Sequence, residues 1–560
     1  MNILEEIKNL LIDKKNSYFL LTTRNNHLGK IYNVFDDLID YNEKCVFLIG
    51  QENTYLLTTN KNIIHDNNNE KDYRVILAKD EDDIIENIKA KLNDNELIID
   101  SRTISTSFAF KLGSNINNIK EDQTITSFVF KQDKKLSLVY KLDEFFVGLP
   151  YSEKIKNIKN LLEINNCKSY IISSLTNQEY LYNLRSHENN VDQTFLSYTI
   201  VEKDKTILFV DPNKINKLVN KYITKNNIII KPYNEFYSYL KEYDSEVIAL
   251  DYNLNNYYIY NVLKNKNTII NIKDPTVINR TIKTKPEIDN TKIAYIKESV
   301  AIIKLIHILK DNKDKLEFDK EIVTTYLKDY EEQNDGFVSN IKRDVIYESI
   351  TEKNTKSNSR NGLICISSSS NYLEGTTSIS RTISIGKITD EIKTKYTLLL
   401  KSNLAFENLI IPKGLKGYQI DAIIRAPFWA EHINYDSKTG EGLGYLYDGS
   451  DEYNVIDYRK EYNDNEIKEN MITLFDPILN KNESYLSLTD AFYSSIDKDE
   501  NFINFTRLGL IPFDPNLIKT AMLTRFEKAS IIAYNEKIIN ELSNHLDKET
   551  LDWLKKYSEI

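Results

Sequence analysis

Tyr372-Leu373-Glu374-Gly375-Thr376-Thr377-Ser378-Ile379-Ser380-Arg381-Thr382 lies in a strand-rich stretch punctuated by Gly362, Gly375, Gly386, Gly414 and Gly417. Glycine interrupts extended chain where the backbone must turn or come close to another segment. This part of the chain therefore reads as strands joined by tight turns. Four consecutive serines, Ser367 to Ser370, precede it.

Upstream, from about Lys283, a long amphipathic helix is expected, because Ile293, Ile296, Val300, Ile303 and Ile306 recur every three or four residues. Downstream, helices are expected over Thr524–Leu546 and Lys548–Tyr557. Asp547 is placed as the N-cap of the second, since its carboxylate can accept from the free amides of the first turn. Helix, strands and closing helices form a domain assigned to residues 284–560.

The first 150 residues alternate short apolar strands with acidic helices. Strands are expected at Tyr18–Thr23, Val46–Ile49, Tyr55–Thr58 and Leu97–Asp100, with a helix over Glu81–Leu92. After Gly148-Leu149-Pro150 the plan restarts: a helix over Ser152–Ile164, a strand Ser169–Ser174, a helix around Asn177–Leu184, and strands Leu196–Val201 and Thr206–Val210. Such alternation predicts α/β domains. Two are expected, 1–150 and 151–283, related in order of elements more than in residues.

At 560 residues, 41% apolar and 28% charged, the chain has globular composition and is too long for one core. A net charge of -10 argues against nucleic acid or anionic lipid as a partner. The lysines between Lys214 and Lys231 alternate with Ile and Asn, as on a solvated helix followed by a strand. No apolar run is long enough for a membrane span, and Glu5, Glu6, Lys8, Asp13, Lys14 and Lys15 break up the first segment as no secretory signal does. A cytoplasmic location is expected. Cys45, Cys167 and Cys365 are odd in number and far apart, which predicts buried thiols and no disulfide framework.

The opening stretch resembles the metal-binding strand of the aminopeptidase P (Xaa-Pro aminopeptidase) family, Y-x-D-G-T-T-D-[VI]-T-R-T. Other segments resemble the same family. Pro412-Lys413-Gly414-Leu415-Lys416-Gly417-Tyr418-Gln419-Ile420-Asp421 is similar to P-K-G-T-x-G-x-x-L-D, and Arg425-Ala426-Pro427-Phe428-Trp429 to R-x-P-L-W. Gly509 to Ile518 is similar to L-x-x-V-P-Y-x-x-x-L-I, Leu546 to Leu554 to L-D-x-E-T-x-x-W-L, and Tyr180 to Arg185 to W-L-L-N-[IL]-R. The resemblance implies two related creatinase-like N-terminal α/β domains, then an α+β pita-bread (creatinase/aminopeptidase) domain with a C-terminal extension. It also implies a homodimer.

Members of that family hold two divalent cations, usually manganese, with two Asp, one His and two Glu, and cleave the bond before proline with the bridging hydroxide. Carried over by position, the ligands fall on Ser367, Ser378, Glu441, Asp476 and Asp490. Tyr435 to Gly444 resembles Y-G-H-G-T-G-H-G-V-G and places Glu441, while Asp476-Pro477 stands for Glu-Pro. The family's substrate-orienting histidines fall on Tyr347, Ser437 and Ser450. None of His27, His65, His187, His307, His432 and His545 occupies a family site.

Hard cations prefer anionic oxygen, so serine hydroxyls are poor replacements for aspartates. Two metals about 3.5–4 Å apart also need ligands that bridge them. Three carboxylates in place of four therefore predict no dinuclear site and no cofactor; the alternative is a single residual cation at Glu441, Asp476 and Asp490. The serine run has no adjacent base and is not expected to supply a nucleophile. The expected function is a catalytically inactive pseudopeptidase that binds a Pro-containing peptide or a protein partner. Two alternatives are an active Xaa-Pro metalloaminopeptidase with a rebuilt site and a structural interaction module. Tyr347 and Tyr445 are the side chains expected to fill volume vacated by metals.

Overall fold

The computed structural model describes residues 3–14, 16–22, 27, 45–59, 73–127, 137–188, 193–311, 320–349, 362–435, 437–446, 451–459, 465–480 and 485–559. The chain divides into two compact units. One comprises 1–142, 150–189 and 194–276, the other 143–149, 190–193 and 277–560. Among the described residues no helix is long and apolar enough to cross a membrane.

The first unit contains two six-stranded sheets of identical topology. In the first, the strands run in the order Arg74–Leu77, Thr54–Thr58, Val46–Gly50, Ser17–Thr22, Glu96–Ile99, Ile119–Glu121. In the second the order is Ile228–Lys231, Thr206–Val210, Ser197–Glu202, Ser169–Ile172, Val247–Leu250, Thr268–Asn271. Across each sheet the successive pairings are parallel, antiparallel, antiparallel, parallel and parallel. Both sheets are covered on both faces, which is why their strands read as nearly continuous apolar runs such as Val46-Phe47-Leu48-Ile49, all buried. The expected strands and helices are present, the helix Glu81–Leu92 with its expected ends. The two α/β domains are thus a structural duplication.

The second unit begins with the helix Lys285–Asp311. The expected apolar stripe is only partly its buried face: Ile303 and Ile306 are inside, but Ile293 is 42% exposed. The helix buries Ile302, Leu305 and Leu309 together with Glu287, Asn290, Glu298 and Ser299. Polar residues on the inner face shift the phase of the apolar pattern, and they have partners. Asn290 donates from Nδ2 to the carbonyl of Phe145 at 2.9 Å, in the short helix Glu144–Val147.

A four-stranded sheet is built from Phe337–Ser349, Gly362–Tyr372, Gly375–Thr376 and Ile379–Ile385. A six-stranded antiparallel sheet follows, in the order Ile410–Pro412, Phe502–Arg507, Asp490–Ile496, Ile472–Phe475, Gly440–Gly442, Asp451–Ile456. One large core joins these sheets to the helices Asp390–Glu407, Gly417–Trp429, Arg525–Leu542 and Lys548–Tyr557. Two glycines of the strand-rich stretch are required by geometry. Gly375 adopts φ +150° with Thr291 where a Cβ would sit, and a Cβ on Gly440 would lie 1.9 Å from the carbonyl oxygen of Leu474. Asp547 caps the last helix as expected, accepting from the amide of Thr550 at 2.8 Å.

Candidate functional site

Side chains of a strand alternate between faces, and in Gly362–Tyr372 the alternation separates two environments. Ser368, Ser370 and Tyr372 are buried against the helix side, where they meet Glu298 and Glu331. Ser367 and Ser369 are half-buried. Ser369 donates from Oγ to the Ser378 hydroxyl at 2.9 Å. The backbone of Ser378 is held by Tyr295, whose oxygen accepts from its amide at 3.0 Å and whose hydroxyl donates to its carbonyl at 3.1 Å. Burial pushes that phenol far above its ordinary value.

The six-stranded sheet brings Asp476 and its neighbour Thr489 to the same row. Ser367 stands opposite Ser380 in the strand register. The Ser380 amide donates to the Thr489 carbonyl at 3.1 Å, and the Thr489 amide to the Ser380 hydroxyl at 2.8 Å. The Thr489 hydroxyl donates to Asp476 Oδ1 at 2.5 Å, and the Asp476 amide to the Thr439 carbonyl at 2.8 Å. Ser380, Thr489, Asp476 and Thr439 therefore form one line of hydrogen-bonded neighbours across both sheets, with Ser367 beside Ser380 in the strand register. Ser487 joins through its hydroxyl, which contacts those of Ser380 and Thr489. Glu441, two residues beyond Thr439 in the strand Gly440–Gly442, is paired through Oε2 with the ammonium of Lys438.

Asp490 is elsewhere. Its fully buried carboxylate receives two hydrogen bonds from Arg381 Nη2, at 2.9 and 3.0 Å, one from Arg507 Nη1, and one from Asn403 Nδ2 at 3.3 Å. Burial works against the charge of Arg381, and the neighbouring Asp490 overcomes it and raises that pKa. For Arg507, Glu407 and Asp490 together do the same. Asp490 is a structural counter-ion and does not gather with Glu441 and Asp476. Thr489, the preceding residue and so on the opposite face, is the one that meets Asp476, and motif matching missed it. The available signal was Arg381 in the opening motif, a charge inside a buried strand that needs a buried acidic partner.

Of the three histidine-equivalent positions, Ser437 has a buried hydroxyl with no hydrogen-bond partner among the described residues, and its carbonyl accepts from Arg425 Nη2 at 2.6 Å. Tyr347 lies in the strand Phe337–Ser349 opposite Ile364. Its side chain, like the whole of Ser450, lies outside the described residues. Tyr445 is buried and donates to the Phe146 carbonyl at 3.0 Å.

These residues do not fit a pair of divalent cations. Two of the five expected donors are neutral hydroxyls, Glu441 faces a lysine ammonium, Asp476 is bonded to a threonine, and Asp490 is neutralised by two guanidiniums. Among the described residues no three His, Cys, Asp or Glu side chains come together as an ion would require. What the row supplies is a set of buried hydroxyls around Asp476 that bond to one another and to its carboxylate.

Comparison with known proteins agrees with this architecture. Residues 130–287 match the creatinase/prolidase N-terminal domain, 289–496 the metallopeptidase family M24, and 501–559 the C-terminal region of that peptidase family. The chain is 25% identical over 501 residues to Xaa-Pro aminopeptidase 1 of Dictyostelium discoideum, covering 82% of this chain and 79% of the relative. To a probable Xaa-Pro aminopeptidase P of Neurospora crassa it is 25% identical over 450 residues, 73% of this chain and 65% of the relative. The fold is that of X-prolyl aminopeptidase from Caenorhabditis elegans, described as a cytosolic enzyme with a di-nuclear active site, at a TM-score of 0.88 and 16% identity over 100% of both chains. A Xaa-Pro dipeptidase from Bacillus anthracis is similar over 65% of this chain and 98% of its own, with a TM-score of 0.51 and 16% identity. With three matched regions in this order and Xaa-Pro aminopeptidase relatives aligned over most of its length, the chain belongs to the aminopeptidase P family.

Proposed function

We propose that this family member is a non-hydrolytic peptide-binding protein: it keeps the aminopeptidase P framework and binds a Pro-containing peptide or a protein partner without cleaving it. The observation that carries this reading is the internal pairing of the carboxylates, Glu441 with Lys438, Asp476 with Thr489, and Asp490 with Arg381 and Arg507. A carboxylate engaged this way has to break its own contacts before it can ligate a cation, and a water is acidified only where a cation is bound. Cytoplasmic location, expected from the sequence, and homodimerisation, implied by the resemblance, belong to the same proposal.

The competing reading is an active Xaa-Pro aminopeptidase with a rebuilt site, favoured by relatives of that name aligned over most of their length. Cleavage of a Xaa-Pro peptide in excess manganese decides between them. Turnover that disappears in Asp476→Asn overturns the non-hydrolytic reading; absence of turnover supports it. Titration with a non-cleaved Pro-containing peptide then separates a peptide binder, which saturates, from a scaffold, which does not.

A further inference from the structure

Glu298 and Glu331 lie side by side in the second unit, from the helices Lys285–Asp311 and Lys320–Glu332, and neither has any exposed surface. Their donors are divided unequally. Glu331 pairs with Arg343 Nη2 and receives Asn340 Nδ2 at 2.7 Å and the Ser368 hydroxyl at 2.7 Å. Glu298 receives the Tyr372 hydroxyl at 2.7 Å and the Ser370 hydroxyl at 3.5 Å. One guanidinium thus serves two buried carboxyls, and it contacts Glu331. A second buried negative charge among the hydroxyls of Ser368, Ser370 and Tyr372, with the guanidinium placed on its neighbour, is strongly disfavoured, and a proton removes it.

We propose that Glu298 is a proton-linked latch: protonated near neutral pH, it fastens the helix Lys285–Asp311 to the strand Gly362–Tyr372, and its ionisation in mildly alkaline solution loosens that strand. The partners of Glu298 on the strand, Ser370 and Tyr372, alternate with Ser367 and Ser369 of the candidate site, so a change in strand packing reaches both faces. The latch is independent of whether the site hydrolyses peptides.

The titratable and charged groups facing Glu298 are Tyr295 on its own helix, Glu331 on the second helix, Arg343 on the strand Phe337–Ser349, and Tyr372. Lys297 lies over the Tyr372 ring, 5.9 Å from its centroid, and pairs with Glu374 at 2.7 Å. Burial first, and the charge of Glu331 second, raise the Glu298 carboxyl from 4.5 to about 8. The Tyr372 phenol is raised as well, by burial and then by Glu298. Because the folded value lies above the unfolded one, the contribution of Glu298 to stability is complete below 4.5. It is lost progressively as pH rises to about 8, and unfolding at pH 7 releases one proton from this group.

Infrared spectroscopy of the intact protein titrated from pH 6 to 10 tests the latch, together with hydrogen exchange of the Ser367–Ser370 segment over the same range. The expected result is a buried protonated-carboxyl band that disappears with a midpoint near pH 8, and exchange in that segment rising beyond the intrinsic pH dependence. In Glu298→Gln, which fixes the neutral form, both changes are absent. A wild-type spectrum without such a band overturns the proposal, as does a band or an exchange step that persists in Glu298→Gln. The wild-type titration decides the matter by itself if the variant does not fold.

Discussion

The ammonium of Lys438 and the carboxylate of Glu441 form an ion pair three residues apart, with the Glu441 side chain 10% exposed and that of Lys438 40%. A protein cation therefore holds the carboxylate that the family resemblance aligns with a metal-binding histidine. Half-exposed lysine is screened by water, so the pair contributes modestly. A double-mutant cycle with Lys438→Met and Glu441→Gln is expected to give a coupling of roughly 0.5–1 kcal/mol in chemical denaturation. Zero coupling would show that the two side chains act independently in solution.

Asp490 and Asp476 are expected to respond very unequally to the same isosteric change. Asp490→Asn leaves Arg381 and Arg507 buried without the shared carboxylate and is predicted to cost on the order of 3–5 kcal/mol. Asp476→Asn retains an oxygen that can accept from Thr489 and is predicted to cost less than about 1 kcal/mol. Urea denaturation of the two variants checks the order, and equal costs would contradict the division between structural and site carboxylates.

The C-terminal helix supplies an acid-side test. Hydrogen bonding from the Thr550 amide is the main cause that lowers the Asp547 carboxyl below its ordinary value. A depressed carboxyl stabilises the fold above its unfolded value, and that contribution is lost as pH falls through the folded value. Asp547→Ala should cost about 1 kcal/mol at pH 7, and less as the solution is acidified below the ordinary aspartate range. A penalty that is the same at pH 7 and pH 3 would contradict the cap.

Much of the fold was legible because it rests on patterns the chain carries locally. Strand runs such as Thr206–Val210 are apolar enough to be buried on both faces, the restart after Pro150 marks a second α/β plan, and Asp547 announces a helix start. The site was legible only as far as its frame. Motif spacing names Ser367, Ser378, Glu441, Asp476 and Asp490, but it does not show that Thr489 meets Asp476 while Asp490 turns to Arg381 and Arg507, because adjacent strand residues differ only in which way they point. That choice is made by Arg381, which is 109 positions away in sequence. Glu298 escaped for a related reason. A charged residue on a helix reads as solvent-facing until Tyr372 and Ser370, contributed by a distant strand, supply its partners.

The protein's own lysine, threonine and arginines engage the groups that paired manganese would need. Titration of Mn²⁺ into the purified protein, followed by calorimetry and native mass spectrometry, measures this directly. No uptake of two ions is expected at Ser367, Ser378, Glu441 and Asp476. Uptake of two equivalents of Mn²⁺ that is lost in Asp476→Asn would contradict it.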